Sequence, residues 1–303
     1  MRLLTRSDFD GLACGVLLKH LGVIDSWKFI HPKDMQDGLV EVTENDVLAN
    51  VPYVDGCGMW FDHHASEISR VPIEVQFKGS FRVAPSAARV IYDYYGGEKA
   101  MPQFAELIVG VDKVDSGQLG TAEILKPKGW VLLGFIMDPR TGLGRFRDFT
   151  IPNYKLMENL IDACATMGID EILALSDVAE RVKMYQEQVE LFAQMVLKHT
   201  RIVGNVICTD LRGVSPIYTG NRFMVYAMFP EQNVSLWVVD GKLGQNVSIA
   251  TGYSIVKRTC IADIGKLMLS FGGGGHKMVG TCQVPTESAD GAIEKIIEAL
   301  RGK

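Results

Sequence analysis

The sequence predicts an α/β protein: an N-terminal, mostly parallel sheet flanked by helices, plus a smaller C-terminal α/β domain on a mixed sheet. Three observations predict it. In the first half, short apolar runs alternate with amphipathic stretches, the pattern of parallel βαβ units. A long Gly- and Pro-free stretch follows, ERVKMYQEQVELFAQMVLKHT, with apolar residues at helical spacings of three and four. Strand-like runs then return before a last amphipathic helix. The 303 residues suit two domains at about 100 to 200 residues each.

In chain order, RLLT reads as a strand, LACGVLLKHLG as a helix, SWKFI, DVLAN and GMWFD as strands, and PSAARVIYDYY as a helix. A helical stretch begins near Pro102, and a long helical pattern from about Ile169 to Thr200 ends the first domain. A short connector at about Arg201 to Asn205 leads to NVICTDL, RFMVYAMF, VSLWVV and NVSIA, with Asp240-Gly241 as a turn between the last two. A helix from about Ala289 to Leu300 closes the second domain. The expected domains are 1–200 and 201–303, and no internal repeat is visible.

Composition narrows the function. A net charge of −5 lacks the basic footprint of a protein that coats long nucleic acid. No apolar run approaches the roughly 20 residues of a membrane span, and MRLLTRSDFDG turns polar too early for a signal peptide, so a cytoplasmic protein is expected. Six cysteines without a CxxC pair read as reduced, mostly buried thiols.

Ligands of parallel sheets bind outside the carboxyl ends of the strands, and four polar constellations fall at such places or near Gly-rich turns. Ser7-Asp8-Phe9-Asp10-Gly11 follows the first strand and offers two hard carboxylates, suited to Mg²⁺ or Mn²⁺; an acidic helix cap would read the same. Asp62-His63-His64 follows GMWF, and imidazole ligands shift the preference towards Mn²⁺. Asp112 and Asp115, at i and i+3, share one helix face, so either or both can point into a site, or pair with a neighbouring cation. Gly272 to Gly275, followed by His276 and Lys277, can turn backbone N–H groups onto an anion or form a tight loop. The three arginines of 138–147 can clamp phosphates or be solvated charge.

These four elements, in this order, resemble the DHH phosphoesterase superfamily with its glycine-rich DHH-associated C-terminal domain, over residues 1 to about 300. The likeness extends to its exopolyphosphatase-related and oligoribonuclease-like branch. It implies a metal-dependent phosphoesterase with one or two Mn²⁺ (or Mg²⁺) ions. By matching positions, Asp8, Asp10, His63 and Asp115 would bind metal, Asp62 would orient the metal shell, and His64 would act at the scissile phosphate. Gly273, Gly274, Gly275 and His276 would bind substrate, and Ser254 and Arg258 could line the same cleft between the domains. Two departures stand out. The histidine that usually opens the first motif is missing, Leu4 and Arg6 taking its place, and Asn50 replaces the usual bridging aspartate as a weaker metal ligand. Arg6 is assigned to substrate, and His31 of FIHPKD can supply the missing imidazole or simply end its strand.

The implied substrate is a nucleotide-like phosphodiester or phosphomonoester: a short oligonucleotide, a cyclic dinucleotide or a nucleoside bisphosphate. Polyphosphate or pyrophosphate hydrolysis is the alternative within enzymes, and a degenerate nucleotide binder the alternative outside them. No membrane partner is expected; a homodimer is possible.

Overall fold

The computed structural model of the protein describes residues 1–69, 76–141, 143–241 and 244–303. Strand β1 (Arg2–Arg6) is buried through Leu3, Leu4 and Thr5, and pairs in parallel with β2 (Ser26–Ile30) on one side and β3 (Asp46–Ala49) on the other. Strands β4 (Met59–Asp62) and β5 (Gly79–Phe81) extend the sheet in parallel, giving the order β2-β1-β3-β4-β5. A sheet of this order reverses its winding between β1 and β3, and the crevice for ligand lies at the carboxyl ends beside that switch.

The helix Phe9–His20 is buried at every position from Phe9 to Leu18, as an all-round apolar helix must be. It packs against β1 and the helices Ala87–Tyr94, Ala105–Ser116 and Asn153–Thr166.

The chain divides into two compact units, 1–118 with 127–184, and 119–126 with 185–303. The division falls inside the helix Ser176–Lys198, whereas the sequence puts the join after it. The expected helical run also starts with a separate helix, Ile169–Ala174.

The second unit holds a six-stranded mixed sheet ordered β10-β11-β9-β8-β7-β6. Its strands are β6 (Thr200–Val203), β7 (Val206–Asp210), β8 (Val234–Asp240), β9 (Asn246–Tyr253), β10 (Gly274–His276) and β11 (Val279–Pro285). Only β7 and β8 pair in parallel among these neighbours. Along β11 exposed and buried residues alternate, so one face meets a core shared with the helices Ile264–Leu269 and Ala289–Leu300.

Two expectations fail here. The connector at 201–205 is mostly strand: the β-branched run TRIV hairpins onto β7 through Gly204, which takes φ 62°. RFMVYAMF contains the helix Met224–Met228, which follows a turn in which Asn221 Oδ1 accepts from Phe223 N at 3.0 Å. A short apolar run fits a buried helix as well as a strand.

Candidate metal centre

Asp8 caps the helix Phe9–His20: its Oδ1 accepts from Gly11 N at 3.0 Å and from Asn50 Nδ2 at 3.0 Å. Its Oδ2 is paired with Arg6 Nε at 3.0 Å. Burial above all pushes this carboxyl above its ordinary pKa, against the pull of Arg6. Gly11 is required by space, since a Cβ there would sit 1.9 Å from Arg6 O. Asp10 reaches to the start of the helix Ala87–Tyr94, where Ala87 N donates to Oδ2 at 2.9 Å and Ala88 N to Oδ1 at 2.8 Å. Burial, with the charge of Asp115, pushes Asp10 up to about 7 despite His63.

His63, at the end of β4, lies 3.6 Å from Asp10 Oδ2 and 3.4 Å from Asp115 Oδ2 through its Nε2. Its Nδ1 is 3.0 Å from Ala84 O, which fixes the ring with Nδ1–H donating and Nε2 facing the carboxylates. Nε2 is buried without a hydrogen-bond partner among the described residues. Asp62, buried in β4, accepts from His64 Nδ1 at 2.8 Å. Burial alone would lower the His64 pKa, but this hydrogen bond and the charges of Asp62, Asp115 and Asp10 push it up to about 9.

The helix Ala105–Ser116 separates its two aspartates. Asp115 joins His63, while Asp112 accepts from Ser86 Oγ at 2.7 Å and from Arg89 at 2.9 and 2.7 Å. Asn50, the one non-glycine residue with positive φ among those described, at 57°, follows β3, with its Oδ1 buried and unpartnered. Arg140, whose side chain keeps 45% of its surface exposed, donates to Asp138 Oδ1 at 2.7 Å; partial desolvation opposes its charge, but Asp138 and, from the centre, Asp8 and Asp115 raise its pKa. His31 does not join: its Nδ1 caps the helix Pro32–Gln36 by accepting from Lys33 N at 3.2 Å.

Asp10, His63 and Asp115 form one group whose ligand atoms lie within 4.8 Å of one another; Asp62, His63 and His64 form a second. The donors fit a divalent cation. Carboxylates held in the dry interior and an orphaned imidazole nitrogen aimed at them are an unstable arrangement that one cation would satisfy.

A scan against protein-family models returned no match, and a search of curated proteins returned none. Among solved structures, the pGpG-specific phosphodiesterase PggH of Vibrio cholerae is 46% identical, with a TM-score of 0.85 and 98% of each chain covered. The chain belongs to the DHH superfamily. Two distant structures share the fold. RecJ of Thermus thermophilus, in complex with Mn²⁺, has a TM-score of 0.56 at 13% identity over 98% of this chain and 51% of its own. An exopolyphosphatase-related protein of Bacteroides fragilis has a TM-score of 0.50 at 12% identity over 98% and 91%.

In the second unit of this DHH protein the glycine run is not an open loop. Gly272 N and Gly273 N donate to Leu269 O and Met268 O at 3.0 and 2.9 Å, closing the preceding helix, and Gly274–His276 pairs with β11. A Cβ on Gly273 or Gly275 would lie 2.0 or 2.2 Å from a carbonyl of β11, whereas one on Gly274 meets nothing within 4 Å. Two of these glycines are therefore demanded by packing, and Gly274 is not. His276 is exposed. Ser254 is buried, its Oγ accepting from Val256 N and Lys257 N at 3.2 and 3.0 Å, so its hydroxyl holds a turn; Arg258 in that turn is exposed.

The DHH signature gave no hint of the backbone groups of Ala84, Ala87 and Ala88 that orient His63 and Asp10. The only available signal was the helix start at Pro85-Ser86, where Ser86 Oγ accepts from Arg89 N at 3.0 Å.

Proposed function

We propose that this protein is a metal-dependent nucleotide phosphodiesterase that cleaves a short guanine-containing dinucleotide such as pGpG into two mononucleotides. The likeness to PggH over the whole chain suggests the substrate. The single structural observation that carries the reading is the orphaned His63 Nε2 between Asp10 and Asp115.

Asp10, His63 and Asp115 would hold the firm cation, Mn²⁺ by preference. A divalent ion there supplies Lewis acidity and a water of low pKa. Asp8 is already engaged by Arg6, Gly11 and Asn50, so a second ion depends on Arg6 leaving it, as it would on meeting a substrate phosphate. Asp62 holds His64 by Nδ1, leaving Nε2 as the working end. Its hydrogen bond to Asp62 favours the protonated ring, which can pair with the phosphate and hand its proton to the leaving 3′ oxygen. Arg140 adds positive charge beside Asp8 and Asp115. We also assign substrate binding to Gly274, Gly275 and His276 of the second unit.

Purified protein with Mn²⁺ should convert pGpG to GMP, and chelator should abolish this. Asp10→Ala or His63→Ala should lower turnover by at least about a hundredfold. Full activity in Asp10→Ala would reject the centre, and hydrolysis of polyphosphate in preference to pGpG would favour the phosphoanhydride reading.

A further inference from the structure

A cavity of about 350 Å³ lies in the first unit beside this centre. Its wall includes Ser7, which stands between Arg6 and Asp8, and Asp138, which holds Arg140. Phe146, Arg147, Phe149, Asn153 and Tyr154 also line it. None of these five has a role in holding the cation.

We infer that this cavity receives a base of the substrate nucleotide and selects guanine over adenine; the inference rests on the phosphodiesterase reading and assigns the residues that read the base. The volume lies at the small end of the about 300–1,000 Å³ typical of ligand sites, right for a base and too small for a folded oligonucleotide. Phe146 and Phe149 stand edge to face with ring centroids 6.2 Å apart and are only half-buried, and Tyr154 is 61% exposed. Aromatic faces left open beside a phosphate-handling centre are the surfaces on which bases stack.

The wall is preformed by a buried arginine, Arg181, which also donates to Asp177 O at 2.7 Å and pairs with Glu180 Oε1 at 2.9 Å. Arg181, 0% exposed, donates to Asn153 Oδ1 at 2.9 Å and to Ile151 O at 2.6 Å, and its guanidinium lies 4.1 Å over the Phe149 ring. It is a positioning residue: it fixes the aromatic wall and the amide of Asn153 together. Because Arg181 can only donate, it fixes the Asn153 amide with Oδ1 towards the guanidinium and Nδ2 turned the other way. Nδ2 faces Gly144, also in the wall, where an added Cβ would come within 3.6 Å of it. The helix Asn153–Thr166 starts here without a side-chain cap, and exposed Arg147 makes no ion pair among the described residues. Asn153 Nδ2 and the Arg147 guanidinium thus put donors on this side, beside the Tyr154 hydroxyl, which can donate or accept. Guanine answers with two acceptors, O6 and N7; adenine would set its N6 amine against them, leaving donors unpaired.

The test compares pGpG, pApA and the base-free diester bis(p-nitrophenyl) phosphate with Mn²⁺. Phe146→Ala should lower kcat/KM for pGpG at least about tenfold more than for the base-free diester, the share expected of one stacked base. Asn153→Asp keeps an oxygen for Arg181 but turns the other end into an acceptor, so the pGpG to pApA ratio should fall at least about tenfold. An unchanged ratio in Asn153→Asp, or equal losses on all three substrates, would overturn the inference. Should the parent protein hydrolyse none of them, the phosphodiesterase reading fails instead. Calorimetric titration with GMP then decides the pocket alone: binding weakened by Phe146→Ala and preferred over AMP supports it, and no binding by the parent rejects it.

Discussion

Replacing Asn50 by aspartate probes the cation site without touching its firm ligands. Asn50 Nδ2 donates to Asp8 Oδ1 at 3.0 Å, and the two residues are 2% and 7% exposed. Asn50→Asp removes a hydrogen bond to a charged group, worth about 1.5–3 kcal/mol, and sets two carboxylates face to face in a dry place. At pH 7.5 one of them must take up a proton against the bulk, at about 1.4 kcal/mol for each tenfold gain in proton affinity it needs, part of which Arg6 offsets. In chelator the variant should therefore unfold with a loss on the order of 3–5 kcal/mol. Mn²⁺ that binds between the carboxylates reverses the sign of their interaction, and at a hundred times its Kd a ligand returns about 2.7 kcal/mol. Urea unfolding of parent and variant, each in EDTA and in Mn²⁺, measures this. The gap should be wide in EDTA and shrink by at least about 2 kcal/mol in Mn²⁺. An unchanged midpoint in EDTA would mean that Asn50 does not confront Asp8. A loss that Mn²⁺ does not relieve would mean that the space between them is not a cation site.

Asp10 makes the metal-free protein respond to pH in an unusual direction. Its carboxyl is raised from 3.8 to about 7, so between those values the folded state binds more protons than the unfolded one, and metal-free stability should fall as pH rises from about 4 to 7. Mn²⁺ binding near pH 6 should release protons, measurable as a buffer-dependent heat in calorimetry; no release would contradict the raised pKa. In the second unit, Gly274→Val has room for its side chain, so its unfolding midpoint should stay near the parent's while KM for pGpG rises. An unchanged KM would leave the glycine run a packing device alone.

Much of the candidate centre was legible because the residues that form it are sequence neighbours at strand ends. Asp8 and Asp10 follow β1, Asn50 follows β3 and Asp62-His63-His64 ends β4, all beside the switch point of one parallel sheet. What spacing could not decide was which of Asp112 and Asp115 turns inward. The answer depends on Arg89 and Ser86, which claim Asp112 from another helix. His31 was open for a related reason: its imidazole caps a helix only one turn long, a use that a single Pro barely signals. The glycine run was ambiguous in the sequence, an anion loop or a tight turn: close approach of β11 accounts for Gly273 and Gly275, and Gly274 has no such packing reason. Arg140 and the base cavity arise from tertiary placement of a loop whose sequence is equally suited to solvated charge.

Crystals of the protein grown or soaked with Mn²⁺ and measured at the manganese absorption edge test the central claim most directly. An anomalous peak touching His63 Nε2 and the carboxylates of Asp10 and Asp115, and absent from His63→Ala crystals, is the predicted result. A peak elsewhere, or one that survives loss of His63, would contradict the account.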